Sequence, residues 1–489
     1  MSSWSVHRAC ICLAAAALTL ASGCSLIPEY RRPEAPVADV YPSGPAYEPN
    51  RGSAAVAAAD IGWREFLADA RLQQLVEIAL ANNRDLRVSI LNVEFLRAQY
   101  RIQAAELFPQ IDAQASAQRS RTPRDLAFGR SVNLREYSVG LTAAWEIDLF
   151  GRLRSLKGAA LEQFIASTEA RRAAEILLVS QVADQYLTLL ATDELLDVTQ
   201  RTLDTGVASY QLVKLQFDTG VATELDLRQA ETIVEQARAN RAAQLRARAQ
   251  AENGLILLLG QPPSGPVTQG ARLADQTILT DIPAGLPSDL LARRPDVLEA
   301  EALLRSANAN IGAARAAFFP TISLTGTGGT ASAKLSDLFA AHSAAWSVMP
   351  SIDLPIFNAG ANKAELQAAR VSKEISIAQY QFTVQTAFRE VADGLAARGT
   401  FDDEISALER FTAAQRRRLE LAQLLYKNGQ ASYLDVLTAQ TDLYNAELVL
   451  VEARLERLTN LVDLYRALGG GWVEHTGDPP RPADDRLQP

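Results

Sequence analysis

Two very long stretches of the chain repeat their hydrophobic residues with helical spacing. They cover residues 152–218 and 361–427, and neither contains a proline. In the second stretch, one apolar stripe steps three and four residues at a time from Ala361 to Phe382, and another runs from Ile377 to Leu395. Such steps are typical of coiled coils. A helix of about 67 residues would be about 100 Å long, and its two stripes predict neighbours on both sides.

Four shorter segments alternate apolar and polar residues with a period of two. They cover about residues 110–121, 136–148, 320–331 and 345–355. Each pair of segments follows a helical stretch, 84–108 or 295–319, that a proline ends. Strands of about ten to twelve residues with one apolar face have the length of tilted membrane strands. The pattern therefore predicts a mixed α+β membrane protein.

The same order of elements occurs twice. Val182-Ala183-Asp184 recurs as Val391-Ala392-Asp393, and Gly220 with Leu225-Asp226 recurs as Gly429 with Leu434-Asp435. Phe-Pro pairs at 108–109 and 319–320 fit nearly the same offset. We interpret residues 63–260 and 291–470 as one structural unit used twice, joined by a connector over 261–290 that is rich in proline and glycine.

The N-terminus has the pattern of a targeting segment. An apolar run over 9–20 is too short to span a bilayer and is typical of a signal peptide, here 1–23. Small residues then precede Cys24, as in a bacterial lipobox; an ordinary signal peptide that ends near a cysteine is the alternative. Cys10 and Cys12 would be removed with the signal, so Cys24 would be the single cysteine left and a candidate for acylation. Residues 24–62 are predicted to form a lipid-anchored tether, and 471–489 a flexible tail.

Four strands cannot close a membrane barrel by themselves. A closed barrel needs at least about eight strands, and an open sheet in lipid would leave its edges unpaired. The sequence therefore predicts an oligomer, without choosing between two copies and three.

Aromatic residues stand at all four predicted helix–strand junctions. A belt at a membrane interface would explain them, whereas the alternative is the core of a soluble junction. The candidate belt residues are Phe108, Trp145, Phe150, Phe318, Phe319 and Phe357.

Composition excludes some classes of function. The net charge of −9 argues against a nucleic-acid partner. Beyond the predicted signal peptide only His342 and His475 remain as histidines, and no hydrolase, zinc-protease or nucleotide-binding motif is present. We expect no enzymatic activity, no metal and no cofactor apart from the covalent lipid on Cys24.

Several stretches together resemble the outer membrane factor (TolC-like) family. The predicted lipid anchor makes the chain most similar to the NodT-type lipoproteins of resistance–nodulation–division efflux pumps. The stretches that carry the resemblance are Trp145–Arg152, Arg293–Asp296, Asn310–Pro320 and Asp353–Gly360. It implies a homotrimer in the outer membrane, with a twelve-stranded β-barrel, a long α-helical barrel in the periplasm and an equatorial domain.

The resemblance also implies roles at the periplasmic ends of the long helices. The turns Thr219-Gly220-Val221 and Asn428-Gly429-Gln430 would dock a periplasmic adaptor. Asp226 and Asp435 would line the aperture as rings of three charges, with Thr438 where some relatives carry a further acid. The alternative for each aspartate is a capping residue of the returning helix.

The implied function is the exit duct of a tripartite efflux system. It would pass drugs and toxic compounds from an inner-membrane pump and its adaptor to the exterior. The exit channel of a type I protein secretion system and a lipid-anchored coiled-coil structural protein are the alternatives. The sequence does not identify the cargo.

Overall fold

The protein is described from a computed structural model that covers residues 25–47, 57–123, 125, 131–268, 271–280, 282–283 and 285–478. The helices of the first half are α1 (Trp63–Phe66), α2 (Ala70–Asn82), α3 (Arg84–Ala105), α4 (Arg152–Asp218) and α5 (Glu224–Leu259). Those of the second half are α6 (Pro287–Arg293), α7 (Pro295–Ala316), α8 (Ala361–Lys427) and α9 (Tyr433–Ala467). The strands are β1 (Gln110–Thr122), β2 (Val132–Ile147), β3 (Thr321–Ser332) and β4 (Ala344–Asp353).

Both halves place the elements in the same order: a helix, a pair of strands, a helix of 67 residues and a shorter returning helix. The long helices α4 and α8 have the predicted bounds. Each follows a glycine in the left-handed region, Gly151 with φ 74° and Gly360 with φ 88°. A residue without Cβ adopts this conformation without strain, so the chain turns sharply from strand to helix at both points.

The four strands form one antiparallel sheet in the order β1-β2-β3-β4. Its register places apolar residues on one face, which we call the apolar face, and hydroxyl-bearing residues on the other, the polar face. On the polar face, serine and threonine side chains pair across the strands, as in Ser116 with Ser138 at 2.8 Å and Ser323 with Ser351 at 2.7 Å. The apolar face includes Ile111, Ala113, Ala115, Ala117, Val139, Leu141, Ala143, Ile322, Leu324, Trp346, Val348 and Ile352.

The main hydrophobic core lies around the middle of the long helices. There α1 and α2 pack against α4 and α9, and the rings of Phe66 and Tyr465 stack with centroids 3.9 Å apart. Tyr186 of α4 is fully buried and donates a hydrogen bond to Asp69 Oδ2, 3.2 Å away. Additional elements therefore pack against the long helices near mid-length. None of the helices in the described part of the chain combines the length and the apolarity needed to cross a membrane.

The N-terminal segment lies along α7 instead of extending freely from the body. Arg32 forms an ion pair of 2.6 Å with Glu301, which is buried, and Asn308 Nδ2 donates to the carbonyl of Pro28 at 2.8 Å. Close to the end of α7, Arg315 Nη1 donates to the carbonyl of Leu26 at 3.0 Å. These contacts fix the chain direction from residue 26 onward.

The prediction of a flexible tail from residue 471 is wrong for residues 471–478. Val473 is buried, and its carbonyl accepts a hydrogen bond of 2.9 Å from the backbone N–H of Trp63. Thr476 Oγ1 accepts another from the backbone N–H of Gly62. These residues close the core around α1, a long-range contact that local polarity could not indicate.

Candidate functional site

The two predicted docking turns have the same backbone structure. In the first, Gly220 takes φ 76° and the N–H of Val221 donates to the carbonyl of Gln216 at 2.7 Å. In the second, Gly429 takes φ 69° and the N–H of Gln430 donates to the carbonyl of Leu425 at 2.9 Å. Both are helix C-caps that need a glycine in the left-handed region. All six predicted turn residues are exposed.

Apolar side chains surround these turns in contact with solvent. Val221 is 76% exposed, and Leu225 and Leu434 are each more than half exposed. An apolar patch at the end of a helical hairpin is unusual for a surface that meets only water. The tips therefore expose apolar side chains beside both turns.

Both predicted aperture aspartates accept hydrogen bonds at the start of a returning helix. Asp226 Oδ2 accepts the backbone N–H of Thr223 at 3.0 Å and its hydroxyl at 2.6 Å. Asp435 Oδ2 accepts the same two groups of Ser432, at 2.9 and 2.7 Å. Each therefore acts as part of a helix cap, which was the alternative reading of the sequence.

The capping role leaves the charge of Asp435 in place. Its side chain is exposed, and the hydrogen bonds from Ser432 lower the pKa of its carboxyl. It is therefore ionised at neutral pH. One turn later, Thr438 is exposed and its hydroxyl donates to the carbonyl of Leu434 in its own helix at 2.8 Å. Capping and a place beside an aperture are compatible for Asp435.

Two tyrosines that the sequence analysis did not select connect the two hairpin tips. Tyr426 Oη donates to Gln216 Oε1 at 2.6 Å, and Tyr433 Oη lies 3.0 Å from Ser209 Oγ. The two rings are tilted against each other with centroids 5.5 Å apart. Burial raises the pKa of both tyrosines, so both hydroxyls stay protonated at neutral pH. These bonds join the α8–α9 hairpin to α4 of the other hairpin.

Above this contact the packing between the hairpins is incomplete. A cavity of about 270 Å³ lies between α4, α5 and α9. Tyr444 Oη at its edge lies 3.2 Å from Thr199 Oγ1 and accepts a hydrogen bond of 3.2 Å from Asn240. The side chain of Gln440 is buried there, and its Nε2 has no partner among the described residues. Near the tips, the hairpins are therefore held together by a few polar bonds and by a small apolar cluster around Val213, Ala230 and Tyr433.

At the other end of the molecule, the candidate belt residues lie at the helix–strand junctions. Phe108 and Phe357 are highly exposed, whereas Phe150 is partly buried and stacks on Phe319 with centroids 4.8 Å apart. Trp145 Nε1 donates to the carbonyl of Leu107 at 3.0 Å. Phe318 is also partly exposed. The pair Phe150–Phe319 thus also packs the junction, while the others present their rings outward.

The two histidines beyond the predicted signal peptide lie apart from the tips and the junctions. Cys24 and the signal segment fall outside the described residues. His475 Nδ1 lies 2.9 Å from Glu65 Oε1, and His342 is exposed in the loop between β3 and β4. Within the described ranges, no cluster of three histidine, cysteine or acidic residues could hold a metal.

Comparison with known proteins identifies the family. The profile described as outer membrane efflux protein matches residues 75–261 and 286–470, once in each half of the chain. The toluene efflux pump outer membrane protein TtgC of Pseudomonas putida is 49% identical over 93% of this chain and 94% of its own length. The outer membrane protein OprJ of Pseudomonas aeruginosa is 46% identical over 94% of this chain and 95% of its own length.

A solved structure agrees with this assignment. The open state of the MtrE outer membrane channel of Neisseria gonorrhoeae superposes with a TM-score of 0.83 at 39% identity, covering 93% of this chain and all of that chain. The chain belongs to the outer membrane efflux protein family. It is an outer-membrane component of an efflux system, and its family is one of channels and not of enzymes.

Proposed function

We propose that three copies of this chain form a closed duct through the outer membrane into the periplasm. The duct passes small molecules that an inner-membrane pump of the resistance–nodulation–division type delivers through a periplasmic adaptor. The observation that carries the proposal is the four-stranded sheet, which has one apolar face and two open edges.

The sheet needs other copies if its apolar face meets lipid. Strands β1 and β4 each pair on one side only within the described chain. Every unpaired backbone group in hydrocarbon is unfavourable by several kcal/mol, so open edges are not stable there. Two copies would supply eight strands, whose interior is about filled by side chains, whereas three supply twelve and leave a channel. The family resemblance also favours three.

The helices support the same assembly through their internal symmetry. On α7, Ala302 and Ser306 are buried against α4. The corresponding residues of α3 are Leu91 and Phe95, and they are large, apolar and exposed, Phe95 to 58%. By this symmetry, α3 of one copy packs against α8 of the next.

The face of α8 that would receive α3 is also exposed. It is the first apolar stripe of the sequence analysis, whereas the second stripe, with Tyr380, Val384 and Val391, is buried within the chain. A helix with one apolar stripe buried within its own chain and the other exposed is suited to packing between two neighbouring helices. The members of the exposed stripe are Ala361, Ala364, Ala368, Val371, Ile375, Ala378 and Phe382.

The aperture and the adaptor surface are assigned to the hairpin tips. With threefold symmetry, Asp226 and Asp435 would each form a ring of three charges, which favours cations in a narrow pore. Thr438 adds no charge to these rings. The turns at 219–221 and 428–430, with the exposed apolar side chains beside them, would receive the adaptor.

A covalent lipid on Cys24 completes the proposal. The hydrogen bond from Arg315 holds residue 26 beside the end of α7, close to Phe318 and Phe319 at the junction with β3. Acyl chains attached two residues earlier would enter the bilayer at the level of the aromatic belt. No catalytic residue or other cofactor belongs to this function.

The relatives favour efflux over the alternatives. Several are named as outer membrane proteins of efflux pumps for toluene, solvents or antibiotics. A coiled-coil spacer would not need the amphipathic sheet. The cargo of this chain is therefore proposed to be small and hydrophobic or amphipathic.

The test is the mass of the purified protein in detergent together with its conductance in a planar bilayer. A mass of three chains with small, cation-selective currents is expected. A single-chain mass without current would overturn the duct and favour the lipid-anchored coiled-coil protein.

A further inference from the structure

A group of arginines continues the apolar face of the sheet beyond its last apolar residues. Along β1, the residues of this face change from Ala117 to Arg119 and Arg121. Arg119 pairs directly with Arg135 of β2, one step beyond the pair of Ala117 with Tyr137. Arg119, Arg121 and Arg135 are all exposed. We call these three residues the arginine cluster.

The arginine cluster lies at the end of the sheet away from the candidate aromatic belt. Arg119 is eleven residues along the chain from Phe108. At about 3.4 Å per residue and a strand tilt of about 40°, this is roughly 28 Å along the membrane normal. The apolar band of a membrane barrel is about 25 Å tall. If Phe108 marks the periplasmic interface, the cluster reaches the headgroups of the outer leaflet.

Two arginines that pair directly repel each other, and a bound anion would offset this repulsion. Opposite residues of an antiparallel pair have Cα atoms about 4.5–5.5 Å apart, and like charges at this distance destabilise a sheet. Within the described ranges, no ion pair neutralises Arg119, Arg121 or Arg135. Glu136 pairs with Gln118, so it belongs to the polar face and not to the cluster.

A further cation lies at the same level on the neighbouring strand connection. Ser332, the last residue of β3, pairs with Tyr137, and the exposed Lys334 follows two residues later in the chain. The nearby Asp337 accepts a hydrogen bond from its neighbour Ser336 at 2.8 Å. A fourth positive residue therefore follows the end of β3, near the end of the sheet that carries the arginine cluster.

We propose that the arginine cluster binds the phosphate groups of lipid headgroups in the outer leaflet. Guanidinium groups bind phosphate oxygens through paired N–H donors, and two opposed arginines can share one phosphate. The acyl chains of the same lipid would lie on the apolar face below. The inference rests on the proposed function, because this face meets lipid only when the sheets form a barrel.

The test measures lipid retention by the full-length protein in detergent. Native mass spectrometry gives apparent dissociation constants for dimyristoylphosphatidylglycerol and for the zwitterionic dimyristoylphosphatidylcholine. The variant is Arg119→Gln with Arg135→Gln. The matched control is Lys214→Gln with Arg246→Gln, which also removes two exposed positive charges, but from the helices.

The wild type and the control should prefer the anionic lipid. The Arg119→Gln/Arg135→Gln variant should bind it on the order of 30-fold more weakly, since each basic residue near a charged headgroup contributes about a fivefold step. Equal retention by variant and wild type would overturn the inference, and so would displacement of the lipid by millimolar inorganic phosphate. The proposed function fails separately, through a single-chain mass or an absence of conductance in the wild type.

Discussion

Replacing Tyr426 with phenylalanine removes one hydroxyl that connects the two hairpin tips. In the wild type this hydroxyl donates to Gln216 Oε1 at 2.6 Å, and the ring packs beside Tyr433. The phenylalanine ring fills the same space, so the packing of the tip should be kept. The variant therefore isolates the hydrogen bond between α8 and α4.

The expected effect follows from the number of bonds that an opening would break. A neutral hydrogen bond contributes about 0.5–1.5 kcal/mol. If the three copies of the proposed trimer open together, their bonds sum to about 1.5–4.5 kcal/mol, which is roughly a 10- to 10³-fold change in the ratio of closed to open states. The Tyr426→Phe protein should conduct more, with longer openings.

The assay is single-channel recording in a planar bilayer, with mass and thermal stability measured on the same preparation. The matched control is Tyr210→Phe, since Tyr210 packs in the same tip cluster and its hydroxyl has no hydrogen bond to a described residue. The control should behave like the wild type. Wild-type conductance in the Tyr426→Phe trimer would refute the role of this bond, and an equal increase in both variants would assign the effect to ring packing.

Three further predictions concern a pore charge, a buried acid and a tight contact. Asp435→Asn should reduce cation selectivity, because hydrogen bonds from Ser432 lower the pKa of the carboxyl and the wild-type side chain is charged at neutral pH. Unchanged reversal potentials would remove Asp435 from the aperture. Burial raises the pKa of Asp184 to about 7, so the folded state holds a proton that the unfolded state releases near pH 4. Stability should therefore fall as pH rises from about 4 to 7, and Asp184→Asn should flatten this slope in thermal unfolding; an unchanged slope would contradict it. Gly312→Ala would place a Cβ 2.6 Å from the side chain of Ile27 and should destabilise the protein by about 1–3 kcal/mol. The control Gly158→Ala, whose Cβ would make an ordinary contact at 3.9 Å, should not destabilise it. Equal melting temperatures of the two variants would count against the tight contact.

The long periodic elements were predictable because their patterns repeat many times. The bounds of α4 and α8 follow from glycines at both ends and from the absence of proline between them. The strands were found from alternation, although β2 begins at Val132, four residues before the predicted start. Short elements such as α1 and α6 carry too few periods to be distinguished from loops.

The contacts between distant parts of the chain could not be read from local patterns. Tyr426 and Gln216 are 210 residues apart, and no motif links them. One signal was available: Phe217 and Tyr426 occupy the same position in the two halves, so an aromatic residue before each tip was repeated. Only Tyr426 carries a hydroxyl, so only the second half can donate this hydrogen bond.

The aspartates at the tips illustrate a different limit. The sequence offered a helix cap and an aperture as alternatives, and the hydrogen bonds to Thr223 and Ser432 place both side chains in caps. A cap uses one carboxylate oxygen and keeps the charge, so the aperture role depends on where the neighbouring copies lie. A single chain cannot specify that position by its own contacts.

The trimeric duct is tested most directly by an electron cryomicroscopy reconstruction of the protein in lipid nanodiscs. We expect threefold particles with twelve strands in the bilayer, and with α3 of each copy packed on the Ala361–Phe382 stripe of the next. The tips should converge around Asp435 at the periplasmic end. A reconstruction with a single chain, or with open sheet edges facing lipid, would contradict it.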